Sequence, residues 1–152
     1  MSNVNDSLPL KKDREFLNLS PPNSLSLKSL RVLVVDDNID SLFLTAFILE
    51  ECGIEVVKAA SAGEALKIFL DTKLDMLICD LAMPDEDGYS LIRKIRLLES
   101  EQGGQISAIA LTASAGEENR SLSMEAGFQV HLAKPIEPGE LVGVVAALAR
   151  QF

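Results

Sequence analysis

The chain has 152 residues, 47% of them hydrophobic, with 14 basic against 23 acidic side chains and a formal net charge of -9. That length suits one domain with a core of its own. The acidic balance excludes nucleic-acid binding through the surface at large, which needs clustered Lys and Arg. No apolar run approaches a membrane span, and Met1 to Lys12 lacks the apolar stretch of a secretory signal, so a cytoplasmic chain with no membrane partner is expected.

Residues 1–29 read as a tail or linker, partly disordered: Asn, Ser, Asp, Lys and the Pro21-Pro22 pair dominate without a helical or strand period. The tail still carries Leu8, Leu10, Phe16, Leu17 and Leu19, more apolar side chains than a freely solvated segment usually has. From residue 30 to 152 the pattern alternates. Short β-like runs fall near 31–35, 54–58, 75–79, 107–111 and 129–132, and helical stretches near 39–52, 62–71, 88–100, 117–126 and 137–150, with Gly53, Gly88, Gly116 and Gly127 at the boundaries. Five βα units with nearly continuous apolar strands predict an α/β fold, a parallel sheet covered by helices on both faces with right-handed crossovers. Cys52 and Cys79 have no CxxC spacing and read as reduced, core-packed thiols.

Four of the apolar runs end in a polar group. Arg31–Val35 stops at Asp36-Asp37, Leu74–Cys79 at Asp80, Ile106–Leu111 at Thr112, and Val130–Ala133 at Lys134-Pro135. In a parallel sheet all four endings lie along one edge, where open α/β folds place their sites. Taken singly, each group has a plain reading: Asp36 or Asp37 as a helix cap, Thr112 as a strand terminus, Lys134 as a loop cation. Their joint position at one edge points elsewhere. Three carboxylates in a partly dry site repel one another and require a cation, and a few oxygen ligands suit Mg²⁺. A carboxylate can capture a phosphoryl group as an acyl phosphate; an ammonium and a hydroxyl beside it complete the means to position and neutralise that group.

These residues resemble the receiver domain of two-component response regulators. The resemblance rests on Asp36-Asp37, the segment Asp80-Leu81-Ala82-Met83-Pro84-Asp85-Glu86-Asp87-Gly88, Leu111-Thr112-Ala113 and Lys134-Pro135, and it spans nearly everything after Leu30. It implies a flavodoxin-like, doubly wound (βα)5 sheet of order 2-1-3-4-5. It also implies a switch module rather than a turnover enzyme, taking phosphate onto Asp80 from a phosphohistidine on a sensor histidine kinase or a histidine phosphotransfer protein. Asp37 and Asp80 would ligate Mg²⁺ (or Mn²⁺) directly with the carbonyl of Ala82, and Asp36 would act through a metal-bound water. Lys134 would pair with a phosphate oxygen, its bond to Pro135 typically cis in the family, and Thr112 would swing toward the phosphate.

Two departures stand out. The position three before Lys134 is usually Tyr or Phe, a rotamer switch; here it is His131, the only histidine. It reads as a switch-site substitute, with coupling of switching to pH as the sharper alternative. Ala82 and Ser114, the positions that commonly tune acyl-phosphate lifetime, are both small, which suits a fast relay.

The first helix is apolar almost all round. Ser41, Leu44, Thr45, Ile48 and Cys52 form the expected core face, leaving Phe43, Ala46 and Phe47 outward as a docking patch for a second copy, a kinase domain or the tail. The last helix, with the stretch from Glu117 to Leu132, matches the face receivers commonly use for output. Met1 and the tail suggest a free-standing protein, and a receiver excised from a hybrid histidine kinase is the alternative. An aspartate-nucleophile phosphohydrolase of the dehalogenase type would need a second Asp two residues after Asp80, where Ala82 stands. No phosphate-cradling glycine loop follows the first strand.

Overall fold

The computed structural model describes residues 27–84, 86–113 and 117–150. Five strands, β1 Arg31–Val35, β2 Glu55–Ala59, β3 Met76–Asp80, β4 Ser107–Thr112 and β5 Val130–Ala133, form one parallel sheet in the order β2-β1-β3-β4-β5. Five α-helices alternate with them: α1 Ile39–Glu50, α2 Ala62–Asp71, α3 Gly88–Arg96, α4 Glu117–Ala126 and α5 Pro138–Ala149. This is the expected doubly wound architecture, with the expected strand order.

The strands are apolar on both sides because both faces are covered. Val32, Val34, Met76, Ile78, Ile109 and Leu111 meet Leu42, Ile48 and Leu49 of α1 and Leu141, Val145 and Leu148 of α5. The alternate set, Leu33, Val35, Leu77, Cys79, Ala108 and Ala110, meets Ala65 and Phe69 of α2 and Leu91, Ile92 and Ile95 of α3. Each fully buried Leu or Ile removes enough surface from water to contribute about 1.5–3 kcal/mol before chain entropy is charged against it. Both cysteines are free thiols, and burial beside Asp80 and Asp36 pushes that of Cys79 far above its usual range. Among the described residues no helix is long and apolar enough to cross a membrane.

Side-chain caps start the helices. Asn38 accepts from the Ser41 amide, Ser61 from Glu64, Asp87 from Ser90 and Glu137 from Glu140. Each satisfies an amide that the first helical turn leaves without a backbone acceptor. The cap of α1 is therefore Asn38, not Asp36 or Asp37, and the acidic pair is left for other work.

Two expectations change. Helix α3 ends at Arg96 rather than near residue 100, followed by a short 3-10 turn at Ser100–Gln102. At that end Arg96 donates to the carbonyls of Gly104 and Gly127. On α1 the phase also differs: Leu42, Thr45, Ala46, Ile48 and Leu49 are buried, and Leu44 faces solvent. Phe43 and Phe47 are outward as expected, at 57% and 58% exposure. The output-face reading falls on α4 and α5, where Leu122 and Met124 are exposed. Ser114 and the tail up to residue 26 lie outside the described residues.

Candidate functional site

Register brings the polar endings together. Val35 pairs with Cys79, Asp80 with Leu111, and Thr112 with Ala133, so the residues that follow β1, β3, β4 and β5 emerge side by side. Asp36 is fully buried, Asp80 is 5% exposed, and Asp37 faces solvent. Each of the three offers a carboxylate oxygen within 4.8 Å of the others. The Asp36 amide donates to the carbonyl of Ala59, and its Oδ1 accepts from the Asn38 amide at 3.0 Å, which fixes the carboxylate.

Lys134 closes the far side. Its ammonium lies 2.9 Å from Asp36 Oδ2 and 3.3 Å from Asp80 Oδ1. Its own amide donates to the carbonyl of Thr112 at 2.7 Å, and the Lys134–Pro135 peptide is cis. Thr112 itself is buried at the end of β4. Burial and the Asp36 charge, with Asp37 adding to them, raise the pKa of Asp80 despite the opposing pull of Lys134. Burial alone would lower that of Lys134, but the bonds and charges of Asp36 and Asp80 outweigh it and hold the ammonium above its usual range. One cation thus serves two buried carboxylates and a third nearby, and the site keeps an excess of negative charge.

The donor set fits a hard divalent cation. It is all oxygen, three carboxylates drawn together within reach of one ion, with the solvent-facing Asp37 leaving room for retained water. Ala82, whose carbonyl is the further ligand implied by the resemblance, is exposed two residues after Asp80, at the mouth of the site.

His131 is placed differently. It pairs with Ala110 across β4 and β5, and its Nδ1 lies 3.1 Å from Ser123 Oγ of α4, while Nε2 is buried without a hydrogen-bond partner. The Ser123 hydroxyl also contacts the carbonyl of Arg120 at 3.0 Å, to which it can only donate. With the serine proton there, Nδ1 carries the imidazole hydrogen and donates to Oγ. The opposite tautomer would bury an unpaired Nε2–H, a costlier arrangement than an unpaired lone pair. Burial and the charge of Arg120 lower the His131 pKa.

Two further residues shape the site, one of them legible in the sequence. Ser123 carries no signal, since helix and strand bring it to His131 across eight residues. Gly88 does, as the glycine closing the acidic loop. A Cβ there would lie 2.5 Å from the Asp80 carbonyl oxygen and 3.1 Å from Leu81 Cα, and the Gly88 amide donates to the Leu81 carbonyl. Only glycine lets α3 start against the backbone that carries Asp80.

An open parallel sheet with an acidic, lysine-closed edge defines a phosphoacceptor-type α/β switch module, and comparison with known proteins names the family. The response regulator receiver domain matches residues 32–146. The chain belongs to that family and is a receiver domain of two-component signal transduction. It is 41% identical over 127 residues to an uncharacterized 14.6 kDa protein in the sodA1 3' region of Leptolyngbya boryana, covering 84% of this chain and 95% of that one. Among solved structures it resembles a CheY-like receiver domain protein from Methanospirillum hungatei JF-1, with 30% identity and a TM-score of 0.72 over 80% of this chain and 94% of that one. It also resembles the receiver domain of the sensor histidine kinase PA1611 from Pseudomonas aeruginosa PAO1, a structure with a magnesium ion coordinated in its active-site cleft, with 30% identity and a TM-score of 0.73 over 80% of this chain and 98% of that one. The chain spans only 14% of the length of the GacS sensor proteins and 52% of the regulator PrrA of Mycobacterium leprae. The phosphohydrolase alternative has no support: Ala82 stands where its general acid would be.

Proposed function

We propose that Asp80 is the phosphoacceptor and that residues 30–152 act as a cytoplasmic switch receiving phosphate from a phosphohistidine on a sensor histidine kinase or a histidine phosphotransfer protein, with residues 1–29 a tail or linker. The observation that carries this reading is the position of Lys134 across Asp36 and Asp80, within ion-pair distance of both. An Asp80 oxygen attacks phosphorus in line with the leaving imidazole. The N–P bond breaks, an O–P bond forms, and the donor histidine leaves neutral once it holds a proton. Lys134 shifts from the Asp80 carboxylate to a phosphoryl oxygen, and the Thr112 hydroxyl, at the adjacent strand end, donates to another.

Asp37 and Asp80, with the carbonyl of Ala82, would hold Mg²⁺ directly, Asp36 through a water, and Mn²⁺ would suit the same oxygen donors. Bound there, the ion supplies the charge neutralisation that lets carboxylates and phosphate share a site. Burial and the Asp36 charge, which together raise the Asp80 pKa, support this assignment, because a cation is what would relieve the charge crowding. His131 takes the switch position on β5 and is tied to α4 through Ser123. The module resets by hydrolysis of its own acyl phosphate and turns over no other substrate.

Incubation with Mg²⁺ and acetyl phosphate, followed by intact mass, tests the assignment. One phosphoryl group should appear on the chain and be absent from Asp80→Asn; equal phosphorylation of that variant would remove Asp80 from the role. A receiver module within a hybrid kinase is the second reading, favoured by the matches to sensor proteins.

A further inference from the structure

Helix α1 presents an apolar stripe that is exposed among the described residues. Ile39, Phe43 and Phe47 follow one another at intervals of four residues and are 54%, 57% and 58% exposed, with Leu44 at 48% beside them. Three side chains at i, i+4 and i+8 form one continuous ridge, and the exposed face of a surface helix is ordinarily polar. The ridge begins two residues after Asp37, at the sheet edge that carries the site. Its surroundings are charged: Lys58 lies 5.4 Å over the Phe43 ring and 4.0 Å from Glu50, and Asp40, Glu50 and Glu51 are exposed at the two ends of the helix.

We infer that the ridge is covered by the chain's own N-terminal segment, residues 8–19. The point of entry favours it. Leu27 packs against the core cluster that holds Ile48 and Leu49 of α1, and the Lys28 side chain lies against Gly53, just past the C-terminal end of that helix. The segment therefore departs where the ridge ends. Seven residues, 20–26, separate Leu19 from Leu27 and can span about 23 Å when extended, whereas all of α1 is about 18 Å long. The segment also has the matching chemistry. Phe16, Leu17 and Leu19 supply the apolar side chains, Lys11, Lys12 and Arg14 suit the acidic ends of α1, and Asp13 and Glu15 suit Lys58. An intrachain cover incurs no translational cost of association, so a few apolar contacts suffice to hold it.

The chain has no tryptophan, so Phe47→Trp in the full-length protein is a clean reporter. Its emission should lie several nanometres to the blue of the same reporter in a chain that also carries Phe16→Ser, Leu17→Ser and Leu19→Ser, and the difference should not depend on protein concentration. Identical emission in the two chains means a face left open for a separate protein and overturns the inference. A blue shift that grows with concentration assigns the ridge to a second copy and overturns it equally. A photo-crosslinking p-benzoylphenylalanine at position 43 gives an independent reading: a crosslink to residues 8–19 of the same chain is expected, and one to another chain, or to none, counts against the cover. Neither measurement depends on phosphate uptake by Asp80.

Discussion

The ammonium of Lys134 is closer to Asp36 than to Asp80, at 2.9 Å against 3.3 Å. Asp36 is the more deeply buried of the two carboxylates and is pinned by the Asn38 amide. It therefore anchors the lysine and leaves Asp80 the freer partner, as the proposed phosphoacceptor role requires.

Removing that ammonium strands two buried carboxylates. Lys134→Ala should lower stability by about 1–3 kcal/mol at neutral pH without divalent ions, less than a fully enclosed pair would lose because water reaches the Asp37 side. Millimolar Mg²⁺ should recover more of the midpoint in this variant than in the parent. Because pairing raises the Lys134 pKa, its contribution holds from the pH at which Asp36 and Asp80 are charged up to about 10.5, and fades as the pH climbs through the raised value. Urea titrations with and without Mg²⁺ measure both effects, and unchanged midpoints would contradict the ion-pair account.

Asp80→Asn should stabilise the ion-free protein. A carboxyl whose pKa is raised on folding is destabilising wherever it is charged, that is, above its folded value, and the burden lifts as the pH falls toward the ordinary 3.8. A gain on the order of 1 kcal/mol is expected at pH 7, equivalent to about 2–5 °C in melting temperature. The advantage over the parent should shrink both at acidic pH and on adding Mg²⁺. Parallel thermal melts at several pH values check it, and an ion-free variant that melts below the parent would count against the repulsion described.

Gly88→Ala tests how closely α3 approaches the site. Alanine is the better helix former by about 1 kcal/mol, yet its Cβ would meet the Asp80 carbonyl at 2.5 Å, and that atom is backbone. A net loss of about 2–3 kcal/mol is expected, together with slower phosphate uptake as Asp80 is displaced. A neutral or stabilised variant in denaturant titration would show that the helix start yields easily.

His131→Phe tests the burial of that imidazole against α4. The His131 pKa is lowered on folding, so between its folded value and 6.5 the unfolded chain holds a proton that the folded chain lacks. Stability therefore falls as the pH drops through that window, and the loss is absent above 6.5. In the Phe variant this part of the slope should vanish, as measured by melts across pH 5 to 8 on the assay's own scale. Matching slopes in the two proteins would show that folding does not shift the proton affinity of His131.

Much of the fold was legible because parallel strands covered on both faces must be continuously apolar, and β1, β3 and β4 are. The site was legible for a related reason. A parallel sheet sends every strand's C-terminal end to one edge, so Asp36, Asp37, Asp80, Thr112 and Lys134 could be grouped before any coordinate was known. Tertiary structure alone decided the rest. Helix α1 is apolar nearly all round, so its own periodicity could not choose a face; packing against β1 and α5 buried Leu42, Ala46 and Leu49 and turned Leu44 outward. The side chain of Arg96, the last residue of α3, donates to the Gly127 carbonyl, 31 residues away in the chain. The bond between His131 and Ser123 arises where α4 lies against β5. Contacts of this kind join residues that no local pattern relates, and their energies exist only once the chain has closed.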